Sequence, residues 1–123
     1  GWCKKMDRTT FSDPVVVDLV NTYFHPISFD AEFRGDIEFL GNTYTFQDKG
    51  RRGYHQLAYD IAQGKLSYPT TVILNEQFEI LTIIPGYLKP EDFEAVLTYF
   101  AEKHYIKGIT WDEYKGSFTP KSR

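Results

Sequence analysis

The sequence contains a single cysteine, Cys3, among its 123 residues. One thiol excludes an internal disulfide framework and a zinc site built from cysteines. The three histidines, His25, His55 and His104, are far apart and lack metal-ligand spacing, so we expect no metal site. The sequence also has no phosphate-binding Walker loop and no dinucleotide glycine motif, so we expect no cofactor.

Basic residues are also few, with 14 Lys and Arg against 17 Asp and Glu and a net charge of -3. They are dispersed apart from Lys4-Lys5 and Arg51-Arg52, and the first pair is more typical of a solvated helix face than of a binding patch. A nucleic-acid partner is therefore not expected. No apolar run approaches the roughly 20 residues needed to cross a bilayer, so we expect no membrane span in this chain.

The length of the chain suits one compact domain with its own core and is too short for two ordinary ones. No repeat, low-complexity stretch or linker marks a boundary inside it. We therefore expect residues 1–123 to form a single domain and the protein to be a monomer. The aromatic share of 17% indicates a well-packed core or an apolar contact surface.

Helical patterns occupy the start of the chain. Residues 2–10 are compatible with a short helix that begins at or just before Cys3. Ser12-Asp13-Pro14 supplies a capping side chain and then a proline at a first helical position, which predicts a second helix. The apolar stripe of this helix is Val16, Leu19, Val20 and Tyr23. Residues 27–30 follow and predict a short strand.

Residues 36–47 predict a β-hairpin. Two strand-like runs flank Gly41-Asn42, a pair typical of a two-residue hairpin turn in which glycine supplies the positive φ. This register pairs Phe39 with Tyr44 and places both on one face. We interpret the hairpin as an insertion, and the glycine-containing, charged residues 47–53 as a loop after it.

The second half of the chain predicts two helices and a further hairpin. Tyr54, Leu57, Ala58 and Ile61 repeat at helical spacing. Residues 70–74 and 78–84 are two β-rich runs that predict an antiparallel pair. Pro90 then opens a helix with the apolar stripe Phe93, Val96, Leu97 and Phe100.

Residues 105–123 predict a C-terminal extension with weaker periodicity. Within it, residues 110–114 are compatible with one helical turn. Residues 116–123 are interpreted as a loose tail.

Cys3 and Pro69 are the two candidate site residues. N–H groups in the first turn of a helix favour the thiolate of a cysteine there, although a lone cysteine without context is more often a buried structural thiol. Tyr68-Pro69 stands directly before a β-branched apolar run. Taken alone, an X-Pro bond is an ordinary trans bond, since only about 5% of such bonds in folded proteins are cis.

Together the two motifs resemble the thioredoxin-like superfamily. Gly1-Trp2-Cys3-Lys4-Lys5 matches the end of a Cys-Gly-Trp-Cys-Lys-Lys motif, and Tyr68-Pro69-Thr70 matches the cis-proline loop that faces the cysteines in that family. Thr10-Phe11-Ser12-Asp13-Pro14 matches a segment of exported bacterial thiol:disulfide interchange proteins. The resemblance implies an α/β thioredoxin-like fold, in which helices flank a mixed β-sheet, with the hairpin insertion added and the opening strand lacking from this chain.

The resemblance also implies roles for particular residues. Cys3 takes the place of the resolving cysteine, and the attacking cysteine and the opening strand are expected before Gly1. Trp2, Tyr68, Pro69 and Gly86 take the places of residues that contact the substrate. Without the resemblance, the interpretation of Gly86 as a simple turn residue has equal weight with that of a substrate contact.

The implied function is that of a thiol-disulfide oxidoreductase of the disulfide reductase or isomerase type. Its partners are protein thiols and disulfides and a membrane electron donor, in the periplasm or another exported location. The alternative is a redox-inactive or monothiol thioredoxin-like module that binds polypeptides. The residue immediately before Gly1 discriminates the two, because cysteine there favours the enzyme.

Overall fold

The computed structural model describes residues 1–50 and 53–122. Arg51 and Arg52 of the predicted loop at 47–53, and the last residue of the predicted tail, lie outside the described residues. The chain divides into two compact units. Gly1–Ile27 and the chain from Tyr87 onward form the terminal unit, and Ser28–Gly86 forms the central unit.

The described elements of the terminal unit are helices, and the central unit combines one helix with short antiparallel strand pairs, in keeping with an α/β class. The helices are α1 (Trp2–Arg8), α2 (Pro14–Tyr23), α3 (Gln56–Ile61), α4 (Pro90–Ala101) and α5 (Trp111–Ser117). The strands are β1 (Ile37–Phe39), β2 (Asn42–Tyr44), β3 (Phe46–Gln47), β4 (Tyr54–His55), β5 (Thr70–Leu74) and β6 (Ile80–Pro85). Within the described residues the strands pair as β1-β2, β3-β4 and β5-β6.

The start of α2 follows directly from its capping residues. The buried Asp13 carboxylate accepts hydrogen bonds from the N–H groups of Val15, at 2.9 Å, and Val16, at 3.3 Å. Pro14 occupies the first helical position, where a missing N–H costs nothing. Such a cap contributes about 1 kcal/mol, and the predicted helix is confirmed.

The core of the terminal unit lies where α2 and α4 pack against each other. Val16 of α2 and Met6 of α1 are buried, and Phe11 packs edge-to-face on Phe93 at 5.4 Å between ring centroids. The buried apolar residues of α4 are Phe93, Ala95, Val96, Leu97 and Tyr99. Burying the larger of these side chains, such as Phe93 and Leu97, stabilises the fold by about 1.5–3 kcal/mol each.

The C-terminal extension is more ordered than a loose tail. Its helix α5 spans Trp111–Ser117, and beyond it the N–H groups of Lys121 and Ser122 donate to the buried carboxylate of Glu94 at 2.8–3.1 Å. A buried carboxylate needs such donors, since burying it unpaired costs several kcal/mol. The prediction of a loose tail was therefore wrong for these two residues, because their partner lies in α4.

Aromatic rings account for much of the packing around this extension. The Tyr99 hydroxyl donates to the carbonyl oxygen of Ile109 at 2.6 Å, and its ring packs edge-to-face on Trp111 at 5.5 Å. Tyr114 packs against His104 with 4.7 Å between ring centroids and a tilt of 33°. The high aromatic share of the sequence thus serves, in part, to fix the extension on α4.

The β1-β2 hairpin of the central unit forms with a register two residues from the expected one. Phe39 pairs with Asn42, and Tyr44 pairs with Ile37. The turn consists of Leu40 and Gly41, both with positive φ, at 51° and 81°. The predicted Phe39–Tyr44 pairing was wrong because Leu40, a residue that rarely adopts this conformation, takes the first turn position.

The second strand run divides at Thr45, and its last part pairs elsewhere. Phe46–Gln47 forms an antiparallel pair with Tyr54–His55, so Tyr54 lies in a strand and not in the predicted helix. The helix α3 begins at Gln56 because His55 caps it, with Nδ1 accepting the N–H of Leu57 at 3.2 Å.

Residues 27–30 do not form the expected strand. No strand of the described ranges pairs with them, and a strand needs a partner for its backbone groups. The chain turns at Asp30 instead, because its carboxylate accepts the N–H of Glu32 at 2.9 Å and its carbonyl accepts the N–H of Phe33 at 3.0 Å.

The β5-β6 hairpin confirms the predicted antiparallel pair, although β6 begins at Ile80 and residues 78 and 79 of the predicted strand lie in the turn. Thr70 pairs with Pro85 at one end and Leu74 with Ile80 at the other, with an irregularity between Ile73 and Leu74. Asn75 closes the turn through its side-chain oxygen, which accepts the N–H groups of residues 77 and 79, each at 2.9 Å.

His55 makes the central unit sensitive to substitution. The side chain is fully buried, lies against Phe29 and Phe33, and bonds the Gly35 carbonyl through Nε2 at 2.9 Å. We expect His55→Ala to lower the free energy of unfolding by about 2–4 kcal/mol in urea denaturation, through the lost packing and the lost cap. His55→Asn keeps an acceptor at the capping position and should lose clearly less; equal losses would contradict the capping role.

Tyr114 gives a pH-dependent test of the extension. Burial raises the pKa of its hydroxyl above the ordinary 10.0, and Glu102 and Glu94 raise it further, while a hydrogen bond with Thr98 opposes them. The folded protein therefore holds this proton more tightly than the unfolded chain. The contribution of the protonated Tyr114 hydroxyl to the free energy of unfolding is present below pH 10.0 and is lost as pH rises through the folded pKa.

We expect the free energy of unfolding of Tyr114→Phe to decline less above that pH than that of the unsubstituted protein. The pKa of Tyr114 itself is measured from phenolate absorbance as a function of pH. The titration curve of Tyr114→Phe is subtracted from that of the unsubstituted protein. Glu102→Gln should shift that pKa downward, and a shift upward would contradict the charge effect.

Candidate functional site

Cys3 lies in the first turn of α1 and is exposed to solvent. Gly1 precedes the helix, and its carbonyl accepts the N–H of Lys5 at 3.1 Å. The one buried side chain of this helix is Met6, so the rest of α1 faces outward. A thiol in this position is accessible to a protein disulfide.

Trp2 and Lys5, which are close to Cys3 in the chain, form a cation–π cluster with Tyr87. The Nζ atom of Lys5 lies 5.0 Å from the Trp2 ring centroid and 5.2 Å from that of Tyr87. The two rings are 5.6 Å apart and tilted by 41°. Trp2 remains 57% exposed, so this cluster of Trp2, Lys5 and Tyr87 presents both aromatic surface and positive charge to solvent.

Threonines at the end of α1 hold Tyr87 in place. The Thr9 hydroxyl donates to the Lys5 carbonyl at 2.8 Å, which leaves the Tyr87 hydroxyl to donate to Thr9 Oγ1, also at 2.8 Å. The neighbouring Thr10 is buried and donates to the carbonyl of Leu88. Two consecutive contacts therefore attach α1 to the segment that begins at Tyr87.

The remaining predicted site residues, Tyr68, Pro69 and Gly86, belong to the central unit and lie together there. The Tyr68-Pro69 peptide bond is cis, and the Pro69 carbonyl accepts the N–H of Gly86 at 2.7 Å. Thr70 closes the loop by donating to the Ser67 carbonyl at 2.6 Å. Gly86 has a φ of 92°, which side-chain-bearing residues rarely adopt, so a glycine is favoured here by backbone conformation.

The structure thus groups Trp2 and Cys3 in the terminal unit, and Tyr68, Pro69 and Gly86 in the central unit. Sequence reasoning did not select two members of the cluster, Lys5 and Tyr87. The sequence does offer a signal for Tyr87, because this residue directly follows the predicted site residue Gly86. Lys5 belongs to the matched motif, but the motif does not predict its contact with Tyr87, which is distant in the sequence.

Residues 1–50 and 53–122 contain no group of three or more His, Cys, Asp or Glu side chains arranged to hold a metal ion. None of their helices has both the length and the apolar character needed to cross a membrane.

A family model described as a thioredoxin-like domain matches residues 1–101. The chain belongs to this thioredoxin-like family. No curated protein and no solved structure matches the chain. Membership confirms the expected superfamily and its α/β fold, and it supports a general thiol–disulfide redox module in a chain with one cysteine.

The matched range contains every predicted site residue and stops at the end of α4. The helix α5 and the tail bound to Glu94 therefore lie beyond the family model. Tyr87 and Lys5, which the sequence analysis did not select, lie within it.

Tyr87 should maintain the environment of Trp2. In a Trp111→Phe background, where Trp2 is the one remaining tryptophan, we expect Tyr87→Ala to shift the fluorescence emission of Trp2 to longer wavelength, because a packing partner is lost. Tyr87→Phe keeps the ring and loses the bond to Thr9, so its emission should stay close to that of the background. An equal shift in both variants would contradict a role for the ring.

Proposed function

We propose that the chain is the redox module of a thiol-disulfide oxidoreductase of the disulfide reductase or isomerase type, with Cys3 as the resolving cysteine. The observation that carries the proposal is the exposed thiol in the first turn of α1, next to Trp2, within the range matched by the thioredoxin-like model. An exposed thiol at a helix start is open to exchange, whereas a structural thiol is usually buried.

The proposed reaction needs a second cysteine immediately before Gly1. Its thiolate attacks one sulfur of a substrate disulfide, forms a mixed disulfide and releases the other substrate sulfur as a thiolate. The Cys3 thiolate then attacks the sulfur of that first cysteine, which frees the substrate as a dithiol. The substrate gains two electrons and the Cys-x-x-Cys pair becomes a disulfide, which a dithiol donor must reduce again.

Further roles follow from the family resemblance. Trp2, Tyr68, Pro69 and Gly86 would contact the substrate polypeptide, and the exposed rings of Trp2 and Tyr68 support contact with a partner chain. The proposal treats residues 1–123 as one monomeric thioredoxin-like domain. In this proposal the domain works on protein thiols and disulfides in the periplasm or another exported location, and a membrane electron donor reduces it.

A second candidate function is favoured by the single cysteine of the chain. A thioredoxin-like module without a Cys-x-x-Cys pair would bind polypeptides without resolving a mixed disulfide. Cys3 would then be dispensable or would act as a single-thiol tether.

Insulin reduction distinguishes the two candidates. We expect the 123-residue chain to show no turnover, because one thiol forms a mixed disulfide and cannot resolve it within the molecule. A variant with one cysteine added before Gly1 should turn over, and the matched variant with serine added there should not. Robust turnover by the 123-residue chain would falsify the two-cysteine mechanism.

Trapping gives the accompanying control. In the variant with the added cysteine, Cys3→Ser should accumulate the mixed disulfide with insulin, detected by mass spectrometry. An added cysteine that gives neither turnover nor a trapped species would favour the polypeptide-binding module.

A further inference from the structure

Two hairpin turns of the central unit carry apolar side chains on left-handed backbone. Leu40, in the β1-β2 turn, has a φ of 51° and is 61% exposed; Phe78, before β6, has a φ of 62° and is 52% exposed. This conformation costs roughly 1–2 kcal/mol for such residues, and an exposed side chain recovers little of it by burial. Glycine or asparagine would occupy both positions at lower cost.

The two turns lie side by side. Phe39, next to Leu40, packs edge-to-face on Phe78 with 5.8 Å between ring centroids. Between them opens a cleft of about 180 Å³, which we call the hairpin cleft. Its apolar lining includes Phe39, Tyr44, Ile61, Leu74 and Phe78. An apolar cavity of about 150 Å³ accommodates benzene, so this cleft has room for one large apolar side chain.

The charged residues within the segments that line the hairpin cleft are all acidic. The segments that line it, residues 36–47, 56–62 and 70–80, contain no lysine or arginine. Their acidic residues are Asp36, Glu38, Asp60, Glu76 and Glu79. Asp60 itself lines the cleft, and its carboxylate accepts a hydrogen bond from Gln56 at 2.7 Å. A basic partner therefore has complementary charge.

We propose that the hairpin cleft binds a segment of a partner polypeptide in which a large apolar side chain is flanked by lysine or arginine. The apolar side chain enters the cleft beside the packed rings of Phe39 and Phe78, and the basic side chains lie near Asp60. Leu40 and Phe78 extend the apolar contact around the opening. The cleft borders the Leu74–Ile80 end of the β5-β6 hairpin, whereas Pro69 and Gly86 lie at its other end, so this site is separate from those two residues.

Two matched peptides test the proposal, Gly-Ser-Lys-Leu-Lys-Leu-Lys-Ser-Gly and the same peptide with glutamate for each lysine. Amide chemical shifts of the 123-residue protein are followed by NMR during titration with each. We expect the lysine peptide to bind at least about tenfold more tightly, as a charge preference of this kind allows. The shift changes should centre on residues 39–44, 57–61 and 74–80.

Variants at the turns separate binding from folding. Leu40→Asn and Phe78→Asn place a residue tolerant of positive φ at each turn and remove the apolar contact. We expect either to weaken binding of the lysine peptide by about fivefold or more, with the urea-unfolding midpoint of Leu40→Asn unchanged or raised. Asp60→Asn should reduce the preference for lysine over glutamate. Ile106→Asn, at an exposed apolar residue of the terminal unit, is the control and should leave binding unchanged.

Several results would overturn the proposal. These are equal affinities for the two peptides, shift changes centred outside the cleft, or unchanged binding by Leu40→Asn and Phe78→Asn. Sedimentation that shows self-association abolished by the same two variants would assign the cleft to a second copy of this chain instead.

Discussion

Hydrogen bonds from buried polar side chains to the backbone hold the described chain together where it changes direction. The terminal unit has three such side chains: Thr10 bonds the Leu88 carbonyl, Asp13 caps α2, and Glu94 receives the N–H groups near the C-terminus. In the central unit, His55 caps α3 and bonds Gly35. Each of these groups is costly to bury alone, so each specifies one local path of the chain. The apolar core then packs on a backbone already constrained at these points.

The exposure of Cys3 depends on this arrangement. Thr9 and Thr10 attach the end of α1 to the segment after β6, and Met6 packs inward on the same helix. The helix is therefore fixed by its C-terminal half, while its first turn, with Trp2 and Cys3, faces solvent. The redox role proposed for Cys3 needs this combination, because such a thiol must be held in a defined place and still be reached by a large substrate.

Local signals in the sequence predicted local structure well. Asp13 and Pro14 predicted α2, and two β-rich runs predicted β5 and β6, because caps and strand patterns act over a few residues. The tail at Lys121 was missed because its partner Glu94 is distant in the sequence, and nothing in its own composition indicates the contact. The register of β1-β2 was missed because Leu40 has no intrinsic preference for positive φ. The site was predicted as motifs, whereas its contacts with Lys5 and Tyr87 required the folded chain.

Left-handed residues in this molecule fall into two kinds, and the difference bears on function. At Gly86 the chain uses the residue that adopts this φ without cost, next to the loop of Pro69. At Leu40 and Phe78 it uses bulky apolar residues that are strained and half exposed, which favours neither folding nor solubility. Folding accounts for Phe78 only through its ring contact with Phe39, and it gives no reason for Leu40. The conformational cost of Leu40 and Phe78 is explained when these side chains contact a partner outside the chain. The acidic residues in the segments that line the hairpin cleft indicate that this partner is basic.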